Sequence, residues 1–362
     1  MPTSTPTIEP TARPTRIAVL GAGFMGGTHA RAYATLPDVE IATIFAHSPN
    51  RAEPLAAELG TVWTSDLDRV LRDESIEAVD ICLPAPGHRP MLEAALAAGK
   101  HVLLEKPLAL TEDDAGAIVS LVEASDRTVM IAHVLRFWPE YVELKRVIDA
   151  GALGRPLSGA TTRRQPFPAW SSLFKQAEIT GGAIFDMLIH DYDVLSWILG
   201  VPLTVTAHGL RNARSGGLDH AQVLIGYGDA TGIADGGMMM PESFPFTSRI
   251  ELLCERGAVE YHFQAGGRSF EVGEPTHALT IYPNEGDPEP VRVEQTDPYT
   301  NEVAYFIACL RSGSPPDRGT VRDAFTAVRV GLGAKQSAET GETVMLSPEV
   351  DAPGQRDAGV AQ

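Results

Sequence analysis

Between Arg16 and about Leu135, short runs of β-branched and other apolar residues alternate with stretches whose apolar positions recur at helical spacing. RIAVL (16–20), VEIATIFA (39–46), AVDICLP (78–84), HVLLE (101–105) and TVMIAHVL (128–135) read as strands, with a shorter one near TVWT (61–64). Strands this uniformly apolar have both faces covered, which predicts a doubly wound parallel sheet built from βαβ units. The punctuation agrees. Pro90 and Gly99 frame a helix over MLEAALAA, and Thr111 followed by Glu112, Asp113 and Asp114 makes a helix start that suits the macrodipole. PEYVELKRVIDAGALG (139–154) adds a helix with a glycine exit.

After that helix the period changes. From about Val201 to Glu294, alternating runs such as VPLTVTAHGL, HAQVLIGY, ATGIADGGMMM, SRIELLCERGAVEYHF and HALTIYP are separated by turn signals at Tyr227-Gly228-Asp229 and Arg256-Gly257. They predict a large open antiparallel sheet, closed by two helical stretches, TNEVAYFIACLRSG and TVRDAFTAVRVGLGAKQSAETG.

AVLGAGFMGGTHARAY sets Gly21, Gly23 and Gly26 in a GxGxxG directly after a strand and at the start of a helix. In that context the first glycine makes a tight turn, the second admits a pyrophosphate and the third lets helix and strand pack closely. A bound dinucleotide in a Rossmann fold is expected. At the end of the second strand, where a carboxylate would hold a ribose 2′-hydroxyl, stand Ala46, His47, Ser48 and, further on, Arg51. No acid there repels a 2′-phosphate and three side chains could donate to one, so NAD(P) with a lean to NADP is the reading.

The 362 residues suit two domains. The pattern divides them into a loose tail over 1–15, the dinucleotide-binding α/β domain over 16–135, an α+β substrate-binding and oligomerisation domain over 136–347 and a second loose tail over 348–362. The Pro- and Thr-rich opening lacks the apolar centre of a secretory signal. With 44% hydrophobic and 21% charged residues and no long apolar run, a membrane protein is not expected. The net charge of −18 disfavours nucleic acid. Three cysteines, odd in number and far apart, fit reduced thiols and a cytoplasmic setting. The Gly-rich apolar run ATGIADGGMMM would be a sticky face unless paired, so a homodimer or homotetramer through the second sheet is expected.

Candidate chemistry lies in GGAIFDMLIHDYDVLSWILG (181–200), an apolar segment carrying Asp186, His190, Asp191 and Asp193. At helical pitch Asp186, His190 and Asp193 fall at i, i+4 and i+7 and share one stripe. His190 has a titration range suited to a general base that takes a hydroxyl proton as a hydride leaves. Asp186, one turn earlier, could orient it or bind a neighbouring hydroxyl. Asp193 could meet substrate or support His190, whereas Asp191 points elsewhere, toward a backbone group or an arginine. The His-Asp-x-Asp spacing is not a standard ligand set, and no metal is expected.

AVLGAGFMG, AVDICLPAPGHRPMLEAALAAGKHVLLEKPLALT and the 181–200 segment, in this order and spacing, resemble the glucose–fructose oxidoreductase / inositol dehydrogenase / MocA (Gfo/Idh/MocA) family of NAD(P)-dependent oxidoreductases. The resemblance covers nearly the whole chain between the tails. It implies that Lys106 of the Glu105-Lys106-Pro107 motif lies beside the nicotinamide, that Asp186 and His190 reach the same cleft, and that the second sheet often forms a dimer face. On the same pattern the cofactor would be contacted by Phe24 and Met25 of the glycine turn, Leu83, Pro84 and His88 after the fourth strand, and Glu105. His133, Arg164 and Trp170 near the domain junction are candidates for a sugar or polyol substrate, because aromatic and polar groups together suit a sugar face. The expected activity is hydride transfer between nicotinamide and a ring hydroxyl or carbonyl of a sugar, cyclitol or related polyol. Two alternatives stay open: a cofactor-retaining glycosidase or lyase that oxidises its substrate transiently, and a non-catalytic NAD(P)-binding sensor. The joint presence of Lys106, Asp186 and His190 weighs against the sensor.

Overall fold

The computed structural model describes residues 13–266 and 276–346. The expected tails fall outside the described residues over 1–12 and 348–362, and the first strand begins at Thr15. The first unit runs β1 (Thr15–Leu20), α1 (Phe24–Ala34), β2 (Val39–Phe45), α2 (Pro49–Leu59), β3 (Trp63–Thr64), α3 (Leu67–Arg72), β4 (Ala78–Ile81), α4 (His88–Ala97), β5 (His101–Glu105), α5 (Glu112–Glu123) and β6 (Val129–Ala132). Its strands pair in parallel in the order β3-β2-β1-β4-β5-β6. The order reverses between β1 and β4, and open α/β sheets bind ligands outside the carboxyl ends of the strands at such a switch point. Gly21 and Cys82 follow those two ends directly. The last strand is shorter than its apolar run of 128–135. The His133 amide turns back to the Ile131 carbonyl at 2.8 Å, and residues 134–136 form a single 3₁₀ turn.

The second unit continues with α6 (Pro139–Asp149), β7 (Pro156–Pro166), α7 (Ala177–Thr180), α8 (Ala183–Asp186), α9 (Ile189–Leu199), β8 (Thr204–Arg211), β9 (Leu218–Gly226), β10 (Thr231–Met240), β11 (Phe246–Cys254), β12 (Gly257–Ala265), β13 (Thr276–Pro283), β14 (Glu289–Val291), α10 (Pro298–Ser312), α11 (Val321–Thr340) and β15 (Val344–Met345). Its nine strands lie in the order β14-β13-β12-β11-β7-β10-β9-β8-β15. Every pair is antiparallel except β7 with β10, which run parallel. The pattern of apolar positions does not announce β7, because PLSGATTRRQP holds small and polar residues. Arg163 is nevertheless buried on it, neutralised by Asp191.

Two late helices tie the units together. Val303, Phe306 and Ile307 of α10 bury against Ile17, Val19, Ala30 and Tyr33, so a helix from the end of the chain covers the first sheet. Ala324, Ala327 and Val328 of α11 share one core with Ile118 of α5, Phe185 of α8 and Val205 of β8. A continuous apolar core of this kind fixes the end of β5 relative to α8, and a site needs such rigid support.

Candidate active site

The glycine turn has the shape a pyrophosphate requires. A Cβ on Gly21, whose φ is +126°, or on Gly26 would overlap backbone of Cys82 or Gly21, whereas one on Gly23 would meet nothing within 4 Å. The turn is therefore closed by its first and third glycines and open at its second. Helix α1 begins there with no capping side chain and no acid in its first turn, while α5 and α11 are capped by Thr111 and Thr320. Its free amide donors and the positive end of its dipole suit an anion. Phe24 and Met25 form that first turn, with Leu83 and Pro84 beyond β4 across the switch point.

Lys106, just past β5, reaches the second unit. Its Nζ donates to the Asp186 carbonyl at 2.9 Å and to Asp186 Oδ1 at 3.3 Å. The two side chains are 13% and 26% exposed, so the pair is neither dry nor free in solvent. His190 is partly exposed in the first turn of α9. Burial first, then the nearby charges of Lys106 and Arg163 and the ring of His133, hold its imidazole well below its ordinary range, so it is neutral near pH 7. Its Nδ1 is shut in with no hydrogen-bond partner among the described residues.

The expected single stripe is not continuous. The Leu188 amide reaches back to Ala183, while those of His190 and Asp191 reach back only three residues, to Met187 and Leu188. This irregular turn separates α8 from α9 and changes the face on which later residues lie. Asp186 consequently pairs with Lys106 rather than with the imidazole.

Asp193 turns into the interior, 1% exposed, where Arg136 grips it from Nε and Nη2 at 2.8–3.1 Å. Burial raises the Asp193 carboxyl, but Arg136 and His133 outweigh it and hold the group below its usual range. Both expectations for Asp193, substrate contact and support of His190, give way to this buried ion pair. Asp191 meets Arg163 at 2.8 Å, the arginine partner that was one of its two readings. These two pairs fix the first turns of α9 from β7 and from the turn after β6.

Several other candidates sit differently from their sequence reading. His88 is fully buried, its Nε2 2.7 Å from the Leu83 carbonyl and its Nδ1 3.3 Å from that of Leu108, so it clamps two loops rather than facing a cofactor. His133 is 1% exposed beside Asp193, at 3.6 Å, too enclosed for a substrate. Arg164 is held by Asp235. Trp170 is 62% exposed and lies against Phe24, with ring centroids 5.4 Å apart. Ala46 follows β2, with His47, Ser48 and Arg51 exposed near the start of α2 and the Ser48 hydroxyl capping that helix.

One cluster, of which only Glu105 was among the sequence candidates, lies beneath the site. His29 of α1 is buried among Asp80 of β4 at 2.9 Å, Glu105 of β5 at 3.2 Å and Glu302 of α10 at 3.6 Å. Burial alone would lower the imidazole, yet the three carboxyls push it up to about 10. Burial, with the nearby carboxyls of Glu105 and Asp80, drives the Glu302 carboxyl well above the usual carboxylate range, against the pull of His29. Cys82 Sγ lies 3.6 Å from His29 Nδ1, and burial pushes the thiol up. The free oxygen of Glu105 accepts the Lys106 amide at 3.0 Å, which links the cluster to the backbone of the site lysine. Two sequence signals mark it: a histidine on the buried face of α1, and an aspartate in the middle of an apolar strand.

An α/β sheet with an open glycine turn, joined to a second unit whose helices supply Asp186 and His190 opposite Lys106, defines a dinucleotide-dependent oxidoreductase. A model of an oxidoreductase family with an NAD-binding Rossmann fold matches residues 15–133, and one for the Gfo/Idh/MocA C-terminal domain matches 141–260. The chain is 30% identical over 349 residues to the scyllo-inositol 2-dehydrogenase (NAD(+)) of Bacillus subtilis, covering 91% of this chain and 96% of that protein. It is also 30% identical to an inositol 2-dehydrogenase of Streptomyces avermitilis, covering 94% and 97%. The crystal structure of GenD2 from gentamicin A biosynthesis, in complex with NAD, superposes with a TM-score of 0.81 at 24% identity over 95% of this chain and all of that one. This chain belongs to the Gfo/Idh/MocA family and is an NAD(P)-dependent oxidoreductase.

Proposed function

We propose that the enzyme transfers a hydride between nicotinamide and a ring CH–OH or carbonyl of a cyclitol or sugar, with Lys106, Asp186 and His190 as its working side chains. The observation that carries this reading is the contact of Lys106 with Asp186 across the two units, with a neutral His190 beside it. The cofactor would lie along Gly21, Gly23, Phe24, Met25 and Gly26, past Leu83 and Pro84, to Glu105 and Lys106. When bound, the nicotinamide supplies the hydride acceptor or donor. His190 takes the hydroxyl proton on Nε2, since Nδ1 is enclosed, and returns it in the reverse direction. Lys106 donates a hydrogen bond to the oxygen at the reacting carbon, where negative charge grows during oxidation. Asp186 holds the ammonium in place and can accept a neighbouring ring hydroxyl. The similarity to inositol 2-dehydrogenases supports the substrate class.

The test is a panel of inositol isomers and sugars with NAD+ and NADP+, followed at 340 nm. Net cofactor reduction is expected with at least one of them. Product formation without net reduction would point to transient oxidation, and binding without any product would point to a sensor.

NADP is the proposed preference. Among the described residues no acid follows β2 at Ala46–Ser48, and Arg51 stands exposed in the first turn of α2. One charge-assisted hydrogen bond to a 2′-phosphate contributes about 1.5–3 kcal/mol. NADPH is therefore expected to bind about tenfold or more tightly than NADH, and Arg51→Ala to remove most of that margin. Equal or tighter NADH binding by the unaltered enzyme would overturn the preference.

Self-association through the second sheet is proposed as well. Leu210, Leu224, Ile233, Leu253 and Tyr282 stand 39–60% exposed on five of its strands, a face too apolar for an isolated protein in water. A cytoplasmic setting is supported by the three cysteines, all unpaired.

A further inference from the structure

Phe24 and Trp170 are among the most exposed large apolar side chains, at 63% and 62%, and they come from different units. Phe24 is the first residue of α1, next to the glycine whose missing Cβ leaves the turn open. Trp170 lies on the segment that follows β7. Their rings touch at 5.4 Å with planes tilted 45°. An aromatic ring normally buries most of its area, so two that meet each other and still keep most of their surface bare form an incomplete cluster.

The segment bearing Trp170 is anchored beside the reaction site. Phe167 is 9% exposed and packs with Ala183, Met187 and Met238, and Phe174 meets Trp170 edge-on at 5.6 Å. Ala183 opens α8, which carries Asp186, and Met187 caps its end. The segment thus starts next to the Lys106–Asp186 pair and crosses to the head of α1. A ligand extending from the open glycine turn toward Lys106 would pass beneath that crossing.

The geometry points to Trp170 as a cofactor-holding residue contributed by the second unit: with Phe24 it closes over the dinucleotide where it leaves the glycine turn and sets the rate at which the cofactor escapes. This inference rests on the dinucleotide lying at Gly21–Gly26, and it reassigns Trp170 from the substrate contact its sequence context suggests. The chemistry suits the role. The bare ring faces can cover a ribose or nicotinamide face and shield the diphosphate from water, which strengthens its bonds to the α1 amides. Opening such a closure before release commonly limits turnover.

The experiment is stopped-flow displacement of NADPH from the full-length enzyme, read by cofactor fluorescence, for the unaltered protein, Trp170→Ala, Phe24→Ala, the double variant and Trp170→Phe. Release is expected to quicken about tenfold in each alanine variant and to stay within about twofold in Trp170→Phe. Because the two rings act as one contact, the double variant is expected to be little faster than either single one. Both residues are exposed, so folding should survive, and a melting curve checks it. Unchanged release in both alanine variants overturns the inference, as does a rise confined to the substrate KM. Failure of the unaltered enzyme to bind NADPH or NADH at all would instead overturn the dinucleotide site itself.

Discussion

His190→Ala is expected to lower kcat for alcohol oxidation by about 10²–10⁴-fold, the range of a lost general base, while the Kd for the cofactor stays within about twofold. Lys106→Ala should cost kcat about 10²–10³-fold, as for a lost donor to a developing oxyanion. Stopped-flow absorbance at 340 nm under single-turnover conditions, with cofactor saturating, separates this loss from any change in binding. The pH dependence carries a second sign. The base form of His190 is the working one, and burial together with Lys106, Arg163 and His133 keeps it unprotonated well below its ordinary 6.5. The acid limb of kcat/KM for oxidation is therefore expected below pH 6.5. A limb at or above 6.5, or an alanine variant that keeps most of its rate, would remove His190 from the role.

The other large effect is on stability. His29→Ala leaves Asp80 and Glu105 buried without their counter-charge, a change that costs about 3–5 kcal/mol when one partner of a buried pair is removed. The pH dependence of folding should show the same cluster. Folding raises the His29 imidazole from 6.5 to about 10, so the native state holds a proton that the unfolded chain gives up above 6.5. Its contribution is full below about 6.5 and is lost as pH rises through about 10. Glu302, also raised, acts in the same direction from above its ordinary 4.5. Urea unfolding of the unaltered enzyme between pH 6.5 and 10 is expected to show falling stability, and His29→Ala should largely flatten that slope. A loss below about 1 kcal/mol at pH 7 would mean that the cluster is not held by a buried imidazolium.

The parallel sheet was legible because its strands are short, mostly apolar runs alternating with helical stretches, and the glycine turn because each glycine answers a separate steric demand. Lys106, Asp186 and His190 could be singled out for a related reason: charged groups inside apolar segments need partners, and the resemblance named the cleft they share. What stayed hidden depends on long-range pairing. Strand β7 could not be read from TTRRQ, since its buried Arg163 is tolerable only because Asp191 arrives from a helix 28 residues later. Asp193 looked like a site residue at helical pitch, and neither the break between α8 and α9 nor the waiting Arg136 can be seen in spacing alone. His88 carries the same side chain whether it faces a cofactor or two carbonyls, and its burial between the Leu83 and Leu108 carbonyls cannot be seen in the sequence. Helix α10 brings Glu302 to His29 across 273 positions of chain, a contact no local pattern encodes.

One substrate carbon is expected to meet Lys106 and His190 together at the nicotinamide. That meeting is tested most directly by a crystal structure of the ternary complex with oxidised cofactor and whichever cyclitol or sugar turns over best. The expected result is a single ring oxygen within hydrogen-bond reach of both Lys106 Nζ and His190, with the pyrophosphate against Gly23. A substrate bound away from either side chain, or a cofactor that leaves the glycine turn empty, would contradict the account.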